Sequence, residues 1–395
     1  MSEAPSLTIH PGFLDDTAVQ TLFRALPEAR IVGGAVRDAI AGRPVADIDL
    51  ATARQPAEVI AALSEAGIRS VPTGVEHGTV TAVIGGRGFE ITTLRRDVET
   101  DGRHARVAFT SDWKADAARR DFTINAMSMN ASGAVFDYFG GIPDLRAGVV
   151  RFVGDPAARI AEDYLRILRF FRFHARYATA EPDAAIREAI RNGIPGLAQL
   201  SAERVWNELS RILHAPDPRK ALALMAELGV LKAIVPEGVD LAPLDRLAAA
   251  GAPADPVLRL AAILKRDPTG FAQRLKLSNA DRDRLLGLRS GPAPMPADDD
   301  DALRRLLADT DPAILEGRSW LAGEPGPAWN KLRARLAAMP RPVFPLSGRD
   351  AVALGIAAGP QVGALLREVR AWWLEGGCRA DAAACRAELA ARARR

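Results

Sequence analysis

Hydrophobic positions in the first third of the chain come in short bursts, several alternating with polar residues. From about Asp155 onward they recur at helical spacing almost to the end. Arg30-Ile31-Val32 reads as the end of a strand. Gly33-Gly34 allows a tight turn after it, and residues 36–41 read as a short helix closed by Gly42. Residues 56–66 form a helix pattern with proline early and Gly67 as the stop. The β-branched run 79–84, a turn over 85–88 and the run 89–94 predict a hairpin. Residues 95–113 are charged and aperiodic and predict a mobile loop of functional length. Beyond that, 162–178, 202–213, 218–228, 255–266, 280–289, 301–308, 327–338 and 360–374 predict helices. Pro and Gly clusters at 291–296 and 323–327 act as breakers, and the acidic run 298–301 predicts an exposed loop.

Against this pattern Asp47 and Asp49 stand out. On an extended segment, residues two apart share a face, so the two carboxylates project together while Ile48 and Leu50 turn toward a core. Like charges held that close call for a divalent cation. An Asp-x-Asp pair alone is a weak signal, because most such pairs are solvated or cap helices. The run Val32-Gly33-Gly34-Ala35-Val36-Arg37-Asp38 just upstream strengthens it. Glycines permit close backbone approach, helix-start N–H groups favour anions, and Arg37 supplies charge. The run is neither a Walker loop nor a dinucleotide fingerprint. Glu90 alternates with Phe89 and Ile91, so it faces away from them. It is a third acidic candidate to complete a metal shell, although an exposed strand glutamate is the ordinary reading.

Three further clusters carry chemistry. In Arg119-Arg120-Asp121-Phe122-Thr123-Ile124-Asn125, paired guanidinium forks suit phosphate and Asp121 can orient one of them. The competing reading is a helix C-terminus with arginines at its negative end. In Glu162-Asp163 through Arg172-Phe173, residues 163, 166 and 169 step by three along one ridge. Leu165, Leu168 and Phe173 pack on the other side. Asp163 with Arg166 offers an acceptor and donors to a base edge. In Ser201 to Leu209, Ser201 and Arg204 make no clean capping box, and Glu203, Arg204 and Glu208 read as ion-pair support for the preceding helix.

Composition narrows the class. A chain of 395 residues, 48% hydrophobic and 26% charged, suggests two or three globular domains. No apolar run approaches a membrane span, and the start shows no signal pattern, so a cytoplasmic chain with no membrane partner is expected. Two cysteines, Cys378 and Cys385, fit a reducing compartment. The five histidines lack metal-ligand spacing. Net charge is uneven. Residues 1–150 hold 15 Lys and Arg against 19 Asp and Glu (−4), residues 151–240 hold 13 against 12 (+1), and residues 241–395 hold 24 against 18 (+6). An acidic front and a basic rear suggest chemistry in front and a polyanion held behind.

Taken in order, these blocks resemble the tRNA nucleotidyltransferase and poly(A) polymerase family, the class II CCA-adding enzymes. The stretch Asp137-Tyr138-Phe139-Gly140-Gly141 with Asp144-Leu145 resembles that family's head–neck junction. The match covers roughly 28–215, and 216–395 carries no recognisable motif. The resemblance implies an α+β chain. A small polymerase-beta-like nucleotidyltransferase sheet forms a head (1–145), followed by an all-helical neck (146–215), body (216–290) and tRNA-binding tail (291–395). It further implies that Asp47 and Asp49 bind two Mg²⁺; Glu90 stays the third catalytic candidate on the strand alternation alone. Gly34, Arg37 and Arg120 would contact the triphosphate. Asp163 and Arg166 would read the base of CTP or ATP, supported by Arg169 and Arg172. The partner would be the tRNA acceptor end.

CCA addition is the leading expectation. Poly(A) polymerase is the nearest rival, disfavoured because no extra basic stretch precedes the third strand. An RNA-binding protein with a relict head conflicts with the intact acidic pair. A small-molecule nucleotidyltransferase conflicts with the long basic rear.

Overall fold

The computed structural model describes residues 4–101 and 104–394, and side chains outside 97–107. The chain divides into two compact units, residues 1–236 and 237–395.

The first unit opens on a sheet. Its strands are β1 (Leu7–Thr8), β2 (Arg30–Val32), β3 (Asp49–Thr52), β4 (Arg69–Gly74), β5 (Thr79–Ile84), β6 (Arg87–Thr93), β9 (Met127–Met129) and β10 (Ala134–Asp137); β7 (Arg95–Asp101) and β8 (His104–Phe109) stand apart as a two-stranded ribbon. The eight strands lie in the order β1-β10-β9-β2-β3-β6-β5-β4. All pairs are antiparallel except β3 with β6, so the sheet is mixed. Period-two alternation fixes the register. Ile31, Leu50, Val80, Phe89 and Ile91 turn to one face, where helices Thr17–Ala25, Gly34–Ile40 and Pro56–Glu65 bury them beside Leu22, Val36 and Leu63. Burying each such side chain contributes about 1.5–3 kcal/mol.

The expected hairpin forms, with the turn confined to Gly85-Gly86, both at positive φ. Residues 95–101 and 104–109 are strands rather than loop. Backbone pairing from Arg95 with Phe109 to Asp101 with His104 makes them a ribbon, and Trp113 already starts a helix. Charge masked the strand signal there, because a two-stranded ribbon need not have a buried face. Residues 102–103 of this stretch lie outside the described residues.

The rest is helical. The helix predicted over 162–178 runs from Leu165 to Tyr177; Glu162 ends a separate helix, Pro156–Glu162, and Asp163 between them takes extended backbone. Helix Ala202–Leu213 falls where expected, and Arg219–Glu227 within a residue. Phe170 and Phe171 are fully buried. Phe170 stacks on Phe152, and Phe122 lies edge-on to Phe173. This aromatic cluster pins the 119–125 segment to the helix Leu165–Tyr177 and so brings two distant sequence blocks together.

In the second unit, helices Pro256–Ile263, Asn279–Arg289, Asp300–Asp309, Pro312–Ala322, Pro327–Ala338, Pro360–Glu375 and Ala382–Ala393 alternate with Pro- and Gly-rich breaks. The acidic run 298–301 is a loop only in its first half; Asp298 and Asp299 precede a helix that starts at Asp300. Asp299 caps it by accepting from Ala302 N, and Asp300 and Asp301 occupy its first turn, where the helix dipole favours acids.

Candidate active site

Asp49 opens β3, paired with Val32 at the end of β2. Asp47 sits in the extended lead-in, so the strand starts two residues later than the sequence pattern suggested. The alternation still holds: Asp47 and Asp49 are exposed, Ile48 is half-buried and Leu50 fully buried. The parallel register of β3 and β6, with Leu50 beside Ile91, puts Glu90 alongside Asp49. Asp49 exposes much of its surface, but burial around its carboxyl, then the charges of Glu90 and Asp47, raise its pKa; Arg120 opposes them. Negative charge therefore accumulates on this face of the sheet, where β3 begins beside β6. Among the described residues no three His, Cys, Asp or Glu side chains are gathered into a ready cation cage. Two hard carboxylates still fit Mg²⁺, which takes one or two protein carboxylates and completes its octahedron with phosphate and water oxygens.

A cleft of about 480 Å³ lies in the same unit. Gly33, Gly34, Arg37, Arg119, Arg120, Asp121, Asn125, Asp163, Arg166, Arg169, Arg172 and Arg204 line it with Leu165 and Phe173, which sets seven arginines against two aspartates. Such a surplus suits a polyanion. Gly34, Arg37, Arg120, Asp163, Arg166, Arg169 and Arg172, all named from sequence, meet here. Asp47, Asp49 and Glu90 do not line it.

Each wall has a local cause. Gly33 has φ +65°, and a Cβ there would come within 3.2 Å of Arg120 Nη1, so the glycine admits both the turn and the guanidinium. Helix Trp113–Ala118 ends at Arg119, so the arginines do sit at a helix C-terminus and also line the cleft. Buried Asp116 holds both, accepting from Arg119 Nε at 3.0 Å and from Arg120 Nη2 at 3.4 Å. Burial pushes its pKa up, but Arg120 and Arg119 outweigh that and hold it below the usual range.

Asp121 orients neither neighbour. It accepts from Arg169 Nε at 2.8 Å, from Arg169 Nη2, and from Asn125 Nδ2 at 3.0 Å. Burial raises its pKa, and Arg169 with the Asn125 bond more than offsets it, leaving it lowered. Asp163 and Arg166 do not pair with each other. Arg204 Nη2 donates to Asp163 Oδ2 at 2.6 Å, while Arg166 donates to Glu162 and to the Arg159 carbonyl. Arg172 Nε donates to buried Glu208 at 2.7 Å. Arg204 and Glu208 thus support the preceding helix as their charge pattern suggested. Sequence reasoning had paired Arg119 with Arg120 as suited to phosphate, but missed Arg204 and Asn125 as cleft residues. Arg204 and Asn125 had only their place inside the quoted blocks to point to them.

Downstream, Asp137 accepts from Gly141 N and Ile142 N at 2.8 Å, capping helix Gly141–Ala147. Thr123 Oγ1 donates to Asp144 at 2.7 Å. These bonds tie the junction segment to the 119–125 block.

A mixed sheet carrying close carboxylates thus shares one unit with an arginine-lined cleft, an arrangement suited to a nucleotide with its metal. Residues 29–151 match the model described as "Poly A polymerase head domain", and 181–241 match "Probable RNA and SrmB- binding site of polymerase A". The chain is 39% identical over 366 residues to CCA tRNA nucleotidyltransferase 1, mitochondrial, of Danio rerio, covering 88% of this chain and 83% of the relative. It is 38% identical over 368 residues to the protein of that name from Homo sapiens, covering 89% and 83%. Among solved structures, the CCA-adding enzyme of Bacillus stearothermophilus in complex with CTP superposes with a TM-score of 0.78 at 27% identity, covering 98% of both chains. The chain belongs to the CCA tRNA nucleotidyltransferase and poly(A) polymerase family.

Proposed function

We propose that this enzyme adds CMP and AMP, from CTP and ATP, to the 3′ end of tRNA, building CCA without a template and releasing pyrophosphate. The observation that carries the reading is the seven-arginine cleft beside the Asp47, Asp49 and Glu90 face, in a chain whose family relatives bear that name.

The division of labour follows from the chemistry of each wall. Arg37, Arg120 and the Gly33-Gly34 backbone hold the triphosphate, with Arg119 beside them. Asp163 and Arg166 present an acceptor and a donor to the base, and the bonds of Arg204 and Glu162 set where each can reach. Arg169 and Arg172, braced by Asp121 and Glu208, hold the wall behind. The family implies dependence on a divalent metal, and we assign Mg²⁺ to Asp47 and Asp49. Glu90, on the next strand, would complete the metal shell or hold a water ligand beside the aspartates. Held by Asp47 and Asp49, the metal would supply activation of a 3′-hydroxyl and charge neutralisation of the leaving pyrophosphate. Head 1–145, neck 146–215, body 216–290 and tail 291–395 remain our functional division, with the basic rear holding RNA phosphates in a salt-sensitive way.

No helix among the described residues is long and apolar enough to cross a membrane. The compartment we propose is the cytoplasm.

The deciding experiment incubates the protein with tRNA lacking its 3′ terminus, supplies each nucleotide separately, and sequences the ends. Ordered C, C, A addition followed by arrest is expected. Long adenosine tails would instead establish a poly(A) polymerase, and no extension a relict head. A second expected result concerns Arg166→Ala. Base selection between CTP and ATP should fall by about tenfold, as loss of one charged hydrogen bond implies. An unchanged ratio of the two kcat/KM values would remove Arg166 from base reading.

A further inference from the structure

Tyr177, the last residue of the helix Leu165–Tyr177, is buried, and nothing in its sequence setting marks it as functional. Its hydroxyl donates to Asp38 Oδ1 at 2.5 Å. Asp38 also accepts from Arg37, from Nε at 3.2 Å and Nη2 at 3.0 Å. Arg37 Nη1 donates to Asn125 Oδ1 at 2.6 Å. The Arg37 guanidinium carbon lies 4.4 Å from the Tyr177 ring centre and 5.2 Å from that of Phe173. Phe173 and Tyr177, one helical turn apart, thus form an aromatic shelf under Arg37.

Arg37 lines the cleft although only 8% of its surface is exposed. Asp38 is its neighbour in sequence and cannot by itself decide where the fork points, because both sit on the same short helix and move together. The fixed references are Asn125 and the end of the helix Leu165–Tyr177. Removing the Tyr177 hydroxyl takes away a donor to a charged acceptor in a poorly screened place, where such bonds are strong.

We propose that Tyr177 is a positioning residue. Through Asp38 and its own ring it aims the Arg37 guanidinium, so the triphosphate grip of the sheet region is complete only when this helix is docked. The inference rests on the nucleotidyltransferase reading and deepens it. It also separates two functions along one helix. Residues 166 and 177 are about 16 Å apart along the axis at 1.5 Å per residue, so the effect of Tyr177 falls on phosphate rather than base.

Tyr177→Phe keeps the ring and removes only the hydroxyl. Its affinity for magnesium tripolyphosphate, read by calorimetry, should fall about five- to tenfold, as loss of one charge-assisted hydrogen bond implies. KM for CTP and for ATP should rise by the same factor, with kcat at saturation little changed. Asp38→Asn should behave alike, and the double variant should be no worse than the poorer single one, since both break the same relay. Wild-type affinity in Tyr177→Phe, a shift confined to one base, or additive losses in the double variant would each overturn the relay. A wild-type chain that binds tripolyphosphate but extends no tRNA would sink the proposed function alone. One that does not bind it would sink both.

Discussion

Asp49→Ala is expected to abolish nucleotide incorporation while leaving tRNA binding intact, and Asp47→Ala to do the same. The loss should be on the order of a thousandfold or more, the several kcal/mol that metal-assisted charge stabilisation supplies to phosphoryl transfer. The fold should not suffer. Asp49 sits at the first position of β3 with its surface largely exposed, and its carboxyl is already disfavoured in charged form by burial and by Glu90 and Asp47. Removing it relieves repulsion rather than breaking a pair. Asp49→Asn, which keeps the shape but loses the charge, should therefore melt no earlier than the parent and still fail to transfer CMP. Single-turnover incorporation of labelled CMP, set beside filter binding of tRNA, separates the two effects. Full incorporation by either alanine variant would reject the assignment of Asp47 and Asp49 to metal.

Asp121→Ala should be the most damaging change to the cleft as a structure. Asp121 is 8% exposed and holds the Arg169 fork and Asn125 at once; Asn125 in turn holds Arg37. Deleting the carboxylate leaves the Arg169 charge without its partner in a mostly buried wall. Breaking a buried pair costs about 3–5 kcal/mol, and the lower end applies because Arg169 keeps 33% of its side-chain surface exposed. The variant should therefore unfold at markedly lower urea and bind nucleotide poorly.

The same residue gives a pH signature. Its folded pKa is lowered from an ordinary 3.8, chiefly because Arg169 and Asn125 outweigh burial. A depressed carboxylate contributes stability that is fully present above the unfolded pKa and lost as pH falls through the folded one. The urea-midpoint gap between parent and Asp121→Asn should accordingly be constant near neutrality and shrink below about pH 4. A gap that stays the same into acid would show that the Arg169 pair contributes nothing.

Much of this site was legible because its chemistry is local. A diglycine forced to positive φ, an Asp-x-Asp on an alternating strand and an Arg-Arg-Asp at a helix end each sit within a few residues, where backbone periodicity decides what points where. The seven residues named from sequence as nucleotide-binding candidates line one cleft. What the string hid was who holds whom. Asp121 lies beside two arginines in sequence yet grips Arg169, 48 residues away, because the aromatic cluster around Phe122 turns its carboxylate toward that helix. Asp163 lies three residues from Arg166 yet is held by Arg204. The ribbon was read as a loop because its first strand, Arg95–Asp101, is charged almost throughout and shows no apolar alternation, which hid the weak 105/107/109 alternation of the second.

The amino-acid order by itself determined much of the strand and helix grammar, the acidic pair on the sheet and five of the arginines that line the cleft, since these depend on neighbours along the chain. Only the tertiary structure decided which carboxylate restrains which guanidinium, and that Tyr177 reaches Asp38 across 139 positions. The reason is physical. Periodicity fixes the direction of a side chain relative to its own backbone, whereas an ion pair is chosen by the packing that brings two backbones together.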